Sequence, residues 1–371
     1  MNAESNWYTI NNIDAIDTPS LAIYPDRVKQ NIHTLVQNID RIDRLRPHIK
    51  THKSAEVIGF MLDAGITKFK CATIAEAEVL GEAGAPDVLL AYQPVGPKAE
   101  RLAKLIQRFP GTLFSCLIDN RQSAKALSKV CASYNISLEV FIDLNVGMNR
   151  TGIDPTHAIL LIEDCENLPG IKVKGLHGYD GHIRDKDLAL RKKNCDASFE
   201  AVIHLQRQVK DKFNKDLVIV AGGTPTYPIH SARKDVECSP GTLIYWDQGY
   251  ADILAEQHYL FAALVLTRVI SKPGPGIICV DLGHKAIASE NPITSRVTFL
   301  NAPDLMPTGH SEEHMVLNFN GPDHYAVGDV LFGVPFHICP TVALHDRPAV
   351  VEHNEVVGYW HTISRNRLIT V

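Results

Sequence analysis

The sequence predicts an α/β fold: a (β/α)8 barrel of the TIM type, combined with a C-terminal all-β domain. Two observations lead to this fold class. Before about residue 255, short apolar runs alternate with stretches of helical spacing. After it, β-type runs are separated by Pro and Gly turns, and helical periodicity is weak.

The barrel strands are predicted from apolar runs of strand length. A strand that is buried on both faces reads as a continuous apolar run, and alternation with helices indicates a parallel sheet. Eight such units in about 200 residues fit a closed barrel. A doubly wound open sheet is the alternative, because repetition alone does not show closure. The runs are residues 45–50, 68–73, 88–92, 112–118, 138–144, 173–179, 217–223 and 241–246.

The domain boundaries follow from the change in pattern. We place the barrel at residues 25–254 and the β domain at residues 1–24 and 255–371. The early run SLAIY could serve either domain, and we assign it to the β domain. The later β-type runs include GIICVDLG, SRVTFL, HMVLNF and GDVLFGVP.

Composition excludes several classes of protein. The formal net charge is -5, so no basic surplus is available to neutralise nucleic-acid phosphates. No apolar run approaches the roughly 18 residues that a bilayer requires. The start, MNAESNWYTINN, has neither a basic segment nor an apolar core, so no secretory signal is expected. Eight cysteines without paired spacing predict reduced thiols and a cytoplasmic location.

The segment LRPHIKTHK places a lysine, Lys50, at the end of the first predicted barrel strand. Strand alternation puts His48 on the same face, and this end of a barrel carries the chemistry. Nearby cations favour the neutral amine, which is the form that makes an imine with an aldehyde. A basic surface loop is the alternative interpretation. The other nearby cations are Arg46, His52 and Lys53.

RPHIKTHK resembles the cofactor-lysine segment of the D-threonine aldolase and D-serine dehydratase family. These are fold-type III pyridoxal 5′-phosphate (PLP) enzymes related to alanine racemase. The resemblance covers nearly the whole chain, because further motifs follow in the family's order. It implies that PLP is the cofactor and that Lys50 is its Schiff-base lysine. It also implies a head-to-tail homodimer.

Two further motifs resemble the family's cofactor-binding segments. By the match of IDLNVGMNRTG, Arg150 would contact the phenolate oxygen of PLP, where a guanidinium favours the ionised oxygen. By the match of GLHGYDGH, Tyr179 would lie against the cofactor ring. His182 would reach the substrate side and is the candidate catalytic base, with a metal-bound water as the alternative. The alternatives are an exposed arginine in a Gly-rich loop and a histidine that satisfies loop backbone groups.

The segments AGGTPTYP and SPGT resemble the family's phosphate-binding turns. Glycines allow backbone N–H groups to approach a phosphate, and threonine hydroxyls add donors. Ordinary turn chemistry explains each segment in isolation. Ser239 stands where alanine racemases place an arginine against the pyridine nitrogen, which leaves the protonation of the ring open. The predicted phosphate-binding residues are Gly223, Thr224, Gly241 and Thr242.

The segment GDVLFGVPFHICPTVAL suggests a metal site in the second domain. His337 and Cys339 are two residues apart, so on an extended strand their side chains face the same way. An imidazole and a thiolate suit Zn²⁺, and two protein ligands leave positions open for water or substrate. A buried cysteine beside a chance histidine is the alternative.

By the resemblance, this pair is the family's metal site, and the metal contacts the β-hydroxyl of the substrate. Aldolases of the family tend to use Asp with Mn²⁺ at the position of Cys339. Dehydratases tend to use Cys with Zn²⁺. The cofactors implied are therefore PLP and one divalent metal, Zn²⁺ or Mn²⁺.

The resemblance implies a lyase that acts on small D-3-hydroxy amino acids. We favour a D-threonine aldolase, which releases glycine and an aldehyde. The alternative is a dehydratase, an ammonia-lyase acting on D-serine or D-threo-3-hydroxyaspartate, in which Lys50 removes the α-proton. Non-catalytic PLP-binding proteins of this fold are shorter and lack the β domain. A racemase needs a second base, for which no matching segment is present.

Overall fold

The structure is a computed structural model that describes residues 7–371. The chain folds into two compact units, which are described separately as the barrel unit and the β unit. The barrel unit comprises Thr34–Lys50, Ile58–Gly241 and Asn366–Val371. The β unit comprises residues up to His33, Thr51–Val57 and Thr242–Arg365. Residues 1–6 of the predicted β domain lie outside the described residues.

The elements of the described residues are numbered along the chain. The strands are β1 (Ser20–Ile23), β2 (Lys68–Cys71), β3 (Asp87–Leu90), β4 (Leu113–Ile118), β5 (Leu138–Leu144), β6 (Ile171–Gly178), β7 (Val218–Ala221), β8 (Val236–Cys238), β9 (Ala263–Gly274), β10 (Ile277–Val280), β11 (Val297–Phe299), β12 (Met306–His310), β13 (Met315–Asn318), β14 (Val330–Pro335), β15 (Ala349–Glu352) and β16 (Glu355–Tyr359). The α-helices are α1 (Pro25–Gln37), α2 (Ala55–Asp63), α3 (Ile74–Glu82), α4 (Pro97–Arg108), α5 (Arg121–Ser133), α6 (Pro155–Glu166), α7 (Leu188–Phe213), α8 (Tyr227–Ser231), α9 (Gln248–Ala251) and α10 (Ile338–Leu344).

The barrel unit contains one parallel sheet in which β2 to β8 follow each other in chain order. Helices follow most of these strands, and four of them begin at a side chain that accepts a hydrogen bond from a backbone N–H of the first turn. Such caps fix the point at which the chain leaves the end of a strand and enters a helix. The capping residues are Thr73, Asn120, Asp154 and Asp187.

The first barrel strand, predicted at residues 45–50, is reduced to two single bridges. Leu45 is bridged to Cys238 of β8, and His48 is bridged to Lys70 of β2, both in parallel. These bridges join the two edges of the seven-stranded sheet, as a barrel requires.

A regular strand does not form here because Pro47 has no N–H to donate to a ladder. The chain then turns into a 3₁₀-helix at Ile49–Thr51, and Lys50 lies in this turn. The prediction that Lys50 ends a regular strand is therefore wrong in its local structure. The predicted eighth strand also shifts: β8 is Val236–Cys238, whereas Thr242–Ile244 forms a 3₁₀-helix.

The interior of the barrel is filled by apolar side chains. Leu89, Leu117, Phe141 and Val220 form one buried cluster. They come from β3, β4, β5 and β7, and because β3 and β7 are not neighbours in the sheet, their contact crosses the interior. This part of the barrel interior is therefore a packed apolar core, as in TIM barrels.

The β unit is built on a nine-stranded sheet. Its main path runs β12-β13-β10-β9-β1-β15-β16, and β14 pairs with β9 and with β11. The N-terminal strand β1 pairs antiparallel with β9 and parallel with β15, so the SLAIY run belongs to this sheet. Its core includes Ala22, Leu264, Leu266, Val334 and Ala349.

The boundary near residue 254 differs from the prediction, because residues 242–254 belong to the β unit. Hydrogen bonds within that unit explain the difference. Gly249 N donates to Phe336 O over 3.0 Å, and Ile338 N donates to Asp247 Oδ2 over 3.2 Å. The end of the chain, Asn366–Val371, belongs instead to the barrel unit.

Within the barrel unit, the C-terminal segment is held by Glu78. The backbone N of Thr370 donates to both carboxylate oxygens of Glu78, over 3.2 and 3.1 Å.

In residues 7–371 no helix has the length and apolar character needed to cross a membrane. All eight cysteines are free thiols in the structure.

Candidate active site

A cavity of about 730 Å³ lies at the carboxyl ends of β2 to β6 in the barrel unit. In β/α barrels this end carries the catalytic residues. Six cationic side chains and one carboxylate, that of Asp143, line the cavity. A concave site of this charge suits a small anionic ligand. The cations are Lys50, Lys70, Lys98, Arg101, Arg150 and Arg367.

Three of the cations surround the ring of Tyr179. The distance to the ring centroid is 5.0 Å from Arg150 Cζ, 5.6 Å from Lys70 Nζ and 5.9 Å from Lys50 Nζ. Cations at this range are attracted by the negative face of an aromatic ring. The structure thus brings together Lys50, Arg150 and Tyr179, which the sequence motifs had placed on three different segments.

The basic surroundings expected for Lys50 are present only in part. His48 also lines the cavity, and its Nδ1 accepts a hydrogen bond of 3.2 Å from the backbone N of Lys50. Arg46, by contrast, is buried and forms ion pairs of 2.7 Å with both Asp87 and Glu237. Its charge is therefore paired with carboxylates within the barrel wall.

Lys70 is a second cavity lysine, which sequence reasoning missed. It is buried, and its Nζ donates a hydrogen bond to Ser239 Oγ. Burial, reinforced by the charge of Lys50, lowers the pKa of Lys70 to about 7. A lysine inside the apolar run KFKCAT is the signal that could have identified it, because unpaired charge is costly inside a barrel strand.

Asp143 and His177 form a second polar pair that sequence reasoning missed. They are register partners at the ends of β5 and β6, and their Oδ1 and Nδ1 atoms lie 2.7 Å apart. Gln93 donates to the other oxygen of Asp143 over 2.9 Å. Burial lowers the pKa of His177, although Asp143 opposes this, and the ring is therefore neutral near pH 7.

The opposite ring nitrogen, His177 Nε2, is buried and has no hydrogen-bond partner among the described residues. With a proton on Nδ1 for Asp143, this nitrogen carries a lone pair and is an acceptor. His177 lines the cavity. A buried polar atom without a partner at a cavity wall is expected where a ligand supplies the missing hydrogen bond.

The predicted phosphate turns lie side by side in the barrel unit. Gly241 N donates to Thr224 Oγ1 over 3.2 Å, and Gly223 N donates to Thr226 Oγ1 over 3.3 Å. Gly223, Thr224 and Gly241 are thereby brought together. Thr242, the fourth predicted residue, lies in the β unit.

Two glycines of the first turn allow close packing. Gly222 has φ +80°, and a Cβ there would lie 2.6 Å from a ring carbon of His230. A Cβ on Gly223 would lie 3.0 Å from the ring of Tyr179. The turn after β7 can therefore approach Tyr179 because Gly223 has no side chain, and it packs against His230 because Gly222 has none.

His182 is exposed and does not line the cavity. Its ring lies over Gly147, where a Cβ would approach His182 Nε2 to 2.7 Å. Gly147 belongs to the motif that contains Arg150, so the two motifs do meet. The structure does not, however, bring His182 to the cavity wall beside Lys50.

Asp180, Cys195 and His230 form a buried cluster of metal-ligating groups in the barrel unit. Asp180 Oδ2 lies 2.8 Å from His230 Nε2, and Cys195 Sγ lies 3.4 Å from the same nitrogen. Arg233 Nη1 contacts both His230 Nδ1 and Cys195 Sγ. A guanidinium at this position already supplies the positive charge, and burial together with Asp180 raises the pKa of Cys195 to about 12. We therefore interpret the cluster as a structural network.

The His337 and Cys339 pair lies in the β unit but not on a strand. His337 is the N-cap of α10, and Cys339 lies in the first turn of that helix. The expectation of an extended strand is therefore wrong. The chain turns here because the helix begins at Ile338, whose N–H is accepted by Asp247.

The surroundings of the pair lie within the β unit. Cys339 Sγ is 3.1 Å from Thr51 Oγ1 and 3.5 Å from Thr242 Oγ1. His337 Nδ1 contacts Glu290 Oε1 at 2.5 Å. Burial opposes a charge on His337, but the hydrogen bond to Cys339, the charge of Cys339 and Glu290 outweigh it and raise the pKa of His337 to about 9.

A parallel barrel with Lys50 and Arg150 around one basic cavity, together with an all-β unit, defines a protein of the alanine racemase-like fold. The family model described as alanine racemase, N-terminal domain, matches residues 23–248. The model described as putative serine dehydratase domain matches residues 262–351. The chain belongs to the D-threonine aldolase and D-serine dehydratase family of fold-type III PLP enzymes.

Known proteins resemble the chain over nearly its full length. D-threonine aldolase of Arthrobacter sp. is 28% identical, over 94% of this chain and 93% of that protein. D-threo-3-hydroxyaspartate dehydratase of Delftia sp. (strain HT23) is 26% identical, over 88% and 92%. The crystal structure of D-threonine aldolase from Filomicrobium marinum superposes with a TM-score of 0.85 at 25% identity, over 97% and 98%.

The residues of the barrel unit fit PLP. The cavity offers an amine at Lys50 and a guanidinium at Arg150 beside the ring of Tyr179, and Gly223 leaves room at that ring which a Cβ would fill. The donor set of the β unit also fits a divalent metal, because His337 and Cys339 supply one nitrogen and one sulfur. Glu290 contacts the imidazole in the way that outer carboxylates orient metal-binding histidines.

Proposed function

We propose that this protein is a PLP- and metal-dependent lyase that cleaves the Cα–Cβ bond of D-threonine, with glycine and acetaldehyde as products. One observation carries the proposal: Lys50 and Arg150 meet around Tyr179 in a basic cavity. The similarity to D-threonine aldolases over nearly the whole chain supports the choice of reaction.

In this proposal the residues of the barrel unit hold PLP. Lys50 binds the cofactor covalently, and Arg150 stabilises its phenolate oxygen. Gly223, Thr224, Gly241 and Thr242 bind the phosphate, and the N–H groups of Gly223 and Gly241 exchange their threonine acceptors for it. When bound, PLP supplies an electron sink for the charge left on Cα after bond cleavage.

Tyr179 has a positioning role in the proposal. Its ring lies within 6 Å of three cations and packs tightly on Gly223. It therefore forms a wall against which a flat ring can lie, at a fixed distance from the phosphate turn.

The β unit contributes the metal in this proposal. His337 and Cys339 are the protein ligands of Zn²⁺ or Mn²⁺, and such an ion would polarise an oxygen ligand as a Lewis acid. Family resemblance assigns the β-hydroxyl of the substrate as that oxygen. His182 is the proposed base for the hydroxyl proton. Its exposure means that it must reach the substrate through water or through a rotation of its side chain.

A second candidate is dehydration of D-threo-3-hydroxyaspartate, with Lys50 as the base for the α-proton. Two observations favour it. Cys339 is the ligand type expected of a dehydratase. In addition, the cavity carries Lys98, Arg101 and Arg367, which the binding of PLP does not use. Such cations suit a substrate with a second carboxylate.

By family resemblance we also propose a homodimer, which sedimentation or size-exclusion chromatography would test.

The cofactor assignment is tested by borohydride reduction of the holoenzyme and peptide mapping. The label is expected on Lys50. Label on Lys70 or Lys98, the other cavity lysines, would overturn the assignment.

The reaction is tested by offering D-threonine, D-serine and D-threo-3-hydroxyaspartate separately. Glycine and acetaldehyde from D-threonine support the aldolase. Ammonia and an oxo acid from any of the three support the dehydratase instead. Removal of metal with a chelator is expected to abolish turnover, and addition of Zn²⁺ or Mn²⁺ to restore it. Full activity after metal removal contradicts the role of His337 and Cys339.

A further inference from the structure

Lys70 is the feature of the cavity that the proposed function does not use. The side chain is 2% exposed and lines the cavity beside Lys50. The charge of Lys50 repels that of Lys70, and burial penalises a charge on Lys70. A group kept under these conditions is a candidate for a functional role.

The pairing of Lys70 differs from that of the neighbouring cations Arg46 and Lys68. Arg46 is neutralised by Asp87 and Glu237, and Lys68 also pairs with Glu237. In the described part of the chain, Lys70 has no such ion pair, and its hydrogen-bond partner is the hydroxyl of Ser239. A stabilising ion pair therefore does not explain why a lysine is buried at position 70.

The contact with Ser239 fixes where the amine of Lys70 points. Ser239 Oγ donates to Gly222 O over 3.1 Å, so the hydroxyl offers Lys70 a lone pair and accepts its N–H. Ser239 directly precedes the Pro240–Gly241 turn, which is one of the two proposed phosphate segments. The amine of Lys70 is thus held beside Ser239, and because Lys70 also lines the cavity, a ligand there can accept a hydrogen bond from it.

The polar atoms of PLP can be assigned one by one. Its phosphate goes to the turns at Gly223 and Gly241, its phenolate oxygen to Arg150 and its aldehyde carbon to Lys50. The pyridine nitrogen is then the remaining polar atom of the ring. Lys70, whose Nζ lies 5.6 Å from the centroid of the Tyr179 ring, and His177 are two polar groups of the cavity wall that this assignment leaves unused.

We propose that Lys70 donates a hydrogen bond to the ring nitrogen of bound PLP and keeps that nitrogen unprotonated. This inference rests on the proposed binding of PLP at Lys50. An amine that donates to a lone pair cannot coexist with a proton on it, whereas neutral His177, an acceptor at Nε2, would favour the protonated ring. The two residues therefore predict opposite protonation states of the ring nitrogen. We choose Lys70 because its hydrogen bond to Ser239 fixes the position of its amine.

The test is ¹⁵N NMR of the holoenzyme reconstituted with PLP labelled at the ring nitrogen. The wild type is expected to show the resonance of an unprotonated nitrogen. In Lys70→Met this resonance shifts, and the PLP dissociation constant rises by roughly tenfold, the loss expected for one hydrogen bond with a charged group. Lys70→Arg retains a donor and is expected to retain the unprotonated nitrogen.

Lys68→Met is the matched control, because Lys68 lies two residues away on the same strand and outside the cavity. It is expected to leave the resonance unchanged. A protonated nitrogen in the wild type, or a resonance that Lys70→Met does not move, overturns the inference. Circular dichroism of each variant establishes that it is folded.

Borohydride mapping separates this inference from the proposed function. If the cofactor is not trapped on Lys50, the proposed function fails first. If it is trapped on Lys50 and the nitrogen does not respond to Lys70→Met, the role of Lys70 alone is wrong.

Discussion

Asp180 Oδ1 accepts a hydrogen bond of 2.7 Å from Thr226 Oγ1, and this bond joins the turn after β6 to the turn after β7. Asp180 follows Tyr179 in the chain. Thr226 Oγ1 in turn accepts from Gly223 N. The aromatic wall of the cavity and the proposed phosphate turn therefore depend on the same buried carboxylate.

Thr226→Val is expected to weaken both the fold and the binding of PLP. Valine removes the donor to Asp180 and the acceptor for Gly223 N, both buried. A buried polar group left without its partner costs about 1–3 kcal/mol of the free energy of unfolding. Urea titration measures this loss, and fluorescence titration with PLP measures the accompanying rise in the dissociation constant.

Thr226→Ser is the control for this prediction, because it keeps the hydroxyl and removes a methyl group. It is expected to bind PLP nearly as the wild type does. Unchanged PLP affinity in Thr226→Val would show that the turn holds its geometry without Asp180.

Lys70→Met is expected to stabilise the apoprotein, most strongly at low pH. Burial lowers the pKa of Lys70 from 10.5 to about 7, with Lys50 and Arg46 acting in the same direction and Asp143 and Asp180 opposing them. Below the folded value both states carry the proton, so the full cost of burying the charge is present. Above it, the folded state releases the proton while the unfolded state keeps it, and the cost declines.

The stability gained by Lys70→Met should therefore shrink as pH rises from about 7 towards about 10, by at most about 1.4 kcal/mol per pH unit. Urea titrations at several pH values give the difference in the free energy of unfolding between wild type and variant. The titration of groups that both proteins share cancels in this difference. A gain that is constant with pH would mean that Lys70 titrates at its ordinary value in the folded protein.

The barrel and the position of Lys50 were predicted from the sequence for a physical reason, whereas Arg150 and Tyr179 were identified by their resemblance to family motifs. Carboxyl ends of parallel strands meet at one edge, so residues after different strands converge even when their separation in sequence is large. Lys50, Arg150 and Tyr179 met in this way. The strand runs were identified because a doubly covered strand is continuously apolar.

The pairing of the polar side chains at the cavity could not be predicted in the same way. The pairing of Asp143 with His177 depends on the register of β5 against β6, and that of Lys70 with Ser239 on the closure of the barrel. Neither is encoded by local periodicity. The helix turn that holds His337 and Cys339 was also missed, because a two-residue spacing alone does not distinguish a strand from a helix start.

Glu290→Gln is expected to reduce the affinity of the β unit for Zn²⁺. The carboxylate contacts His337 Nδ1, which orients the ring and raises its basicity, so that Nε2 is presented to a metal. Loss of such a partner costs roughly tenfold or more in metal affinity. Competition with a chromogenic chelator measures the dissociation constant, and exposed Glu355→Gln is the control. Equal affinities in the two variants would remove Glu290 from the site.

Lys98→Met is expected to separate the two candidate substrates. Lys98 lies on α4, lines the cavity and has its Nζ 4.2 Å from the ring centroid of Tyr92. If this cation pairs with the second carboxylate of D-threo-3-hydroxyaspartate, its loss removes a charge-assisted hydrogen bond, and KM rises roughly tenfold. D-threonine has a methyl group in place of that carboxylate, so its KM should change much less. Arg101→Met should behave in the same way if both cations face one carboxylate. Equal effects of a variant on the KM of both substrates would instead indicate a general electrostatic role. D-threonine would then be the better-supported substrate.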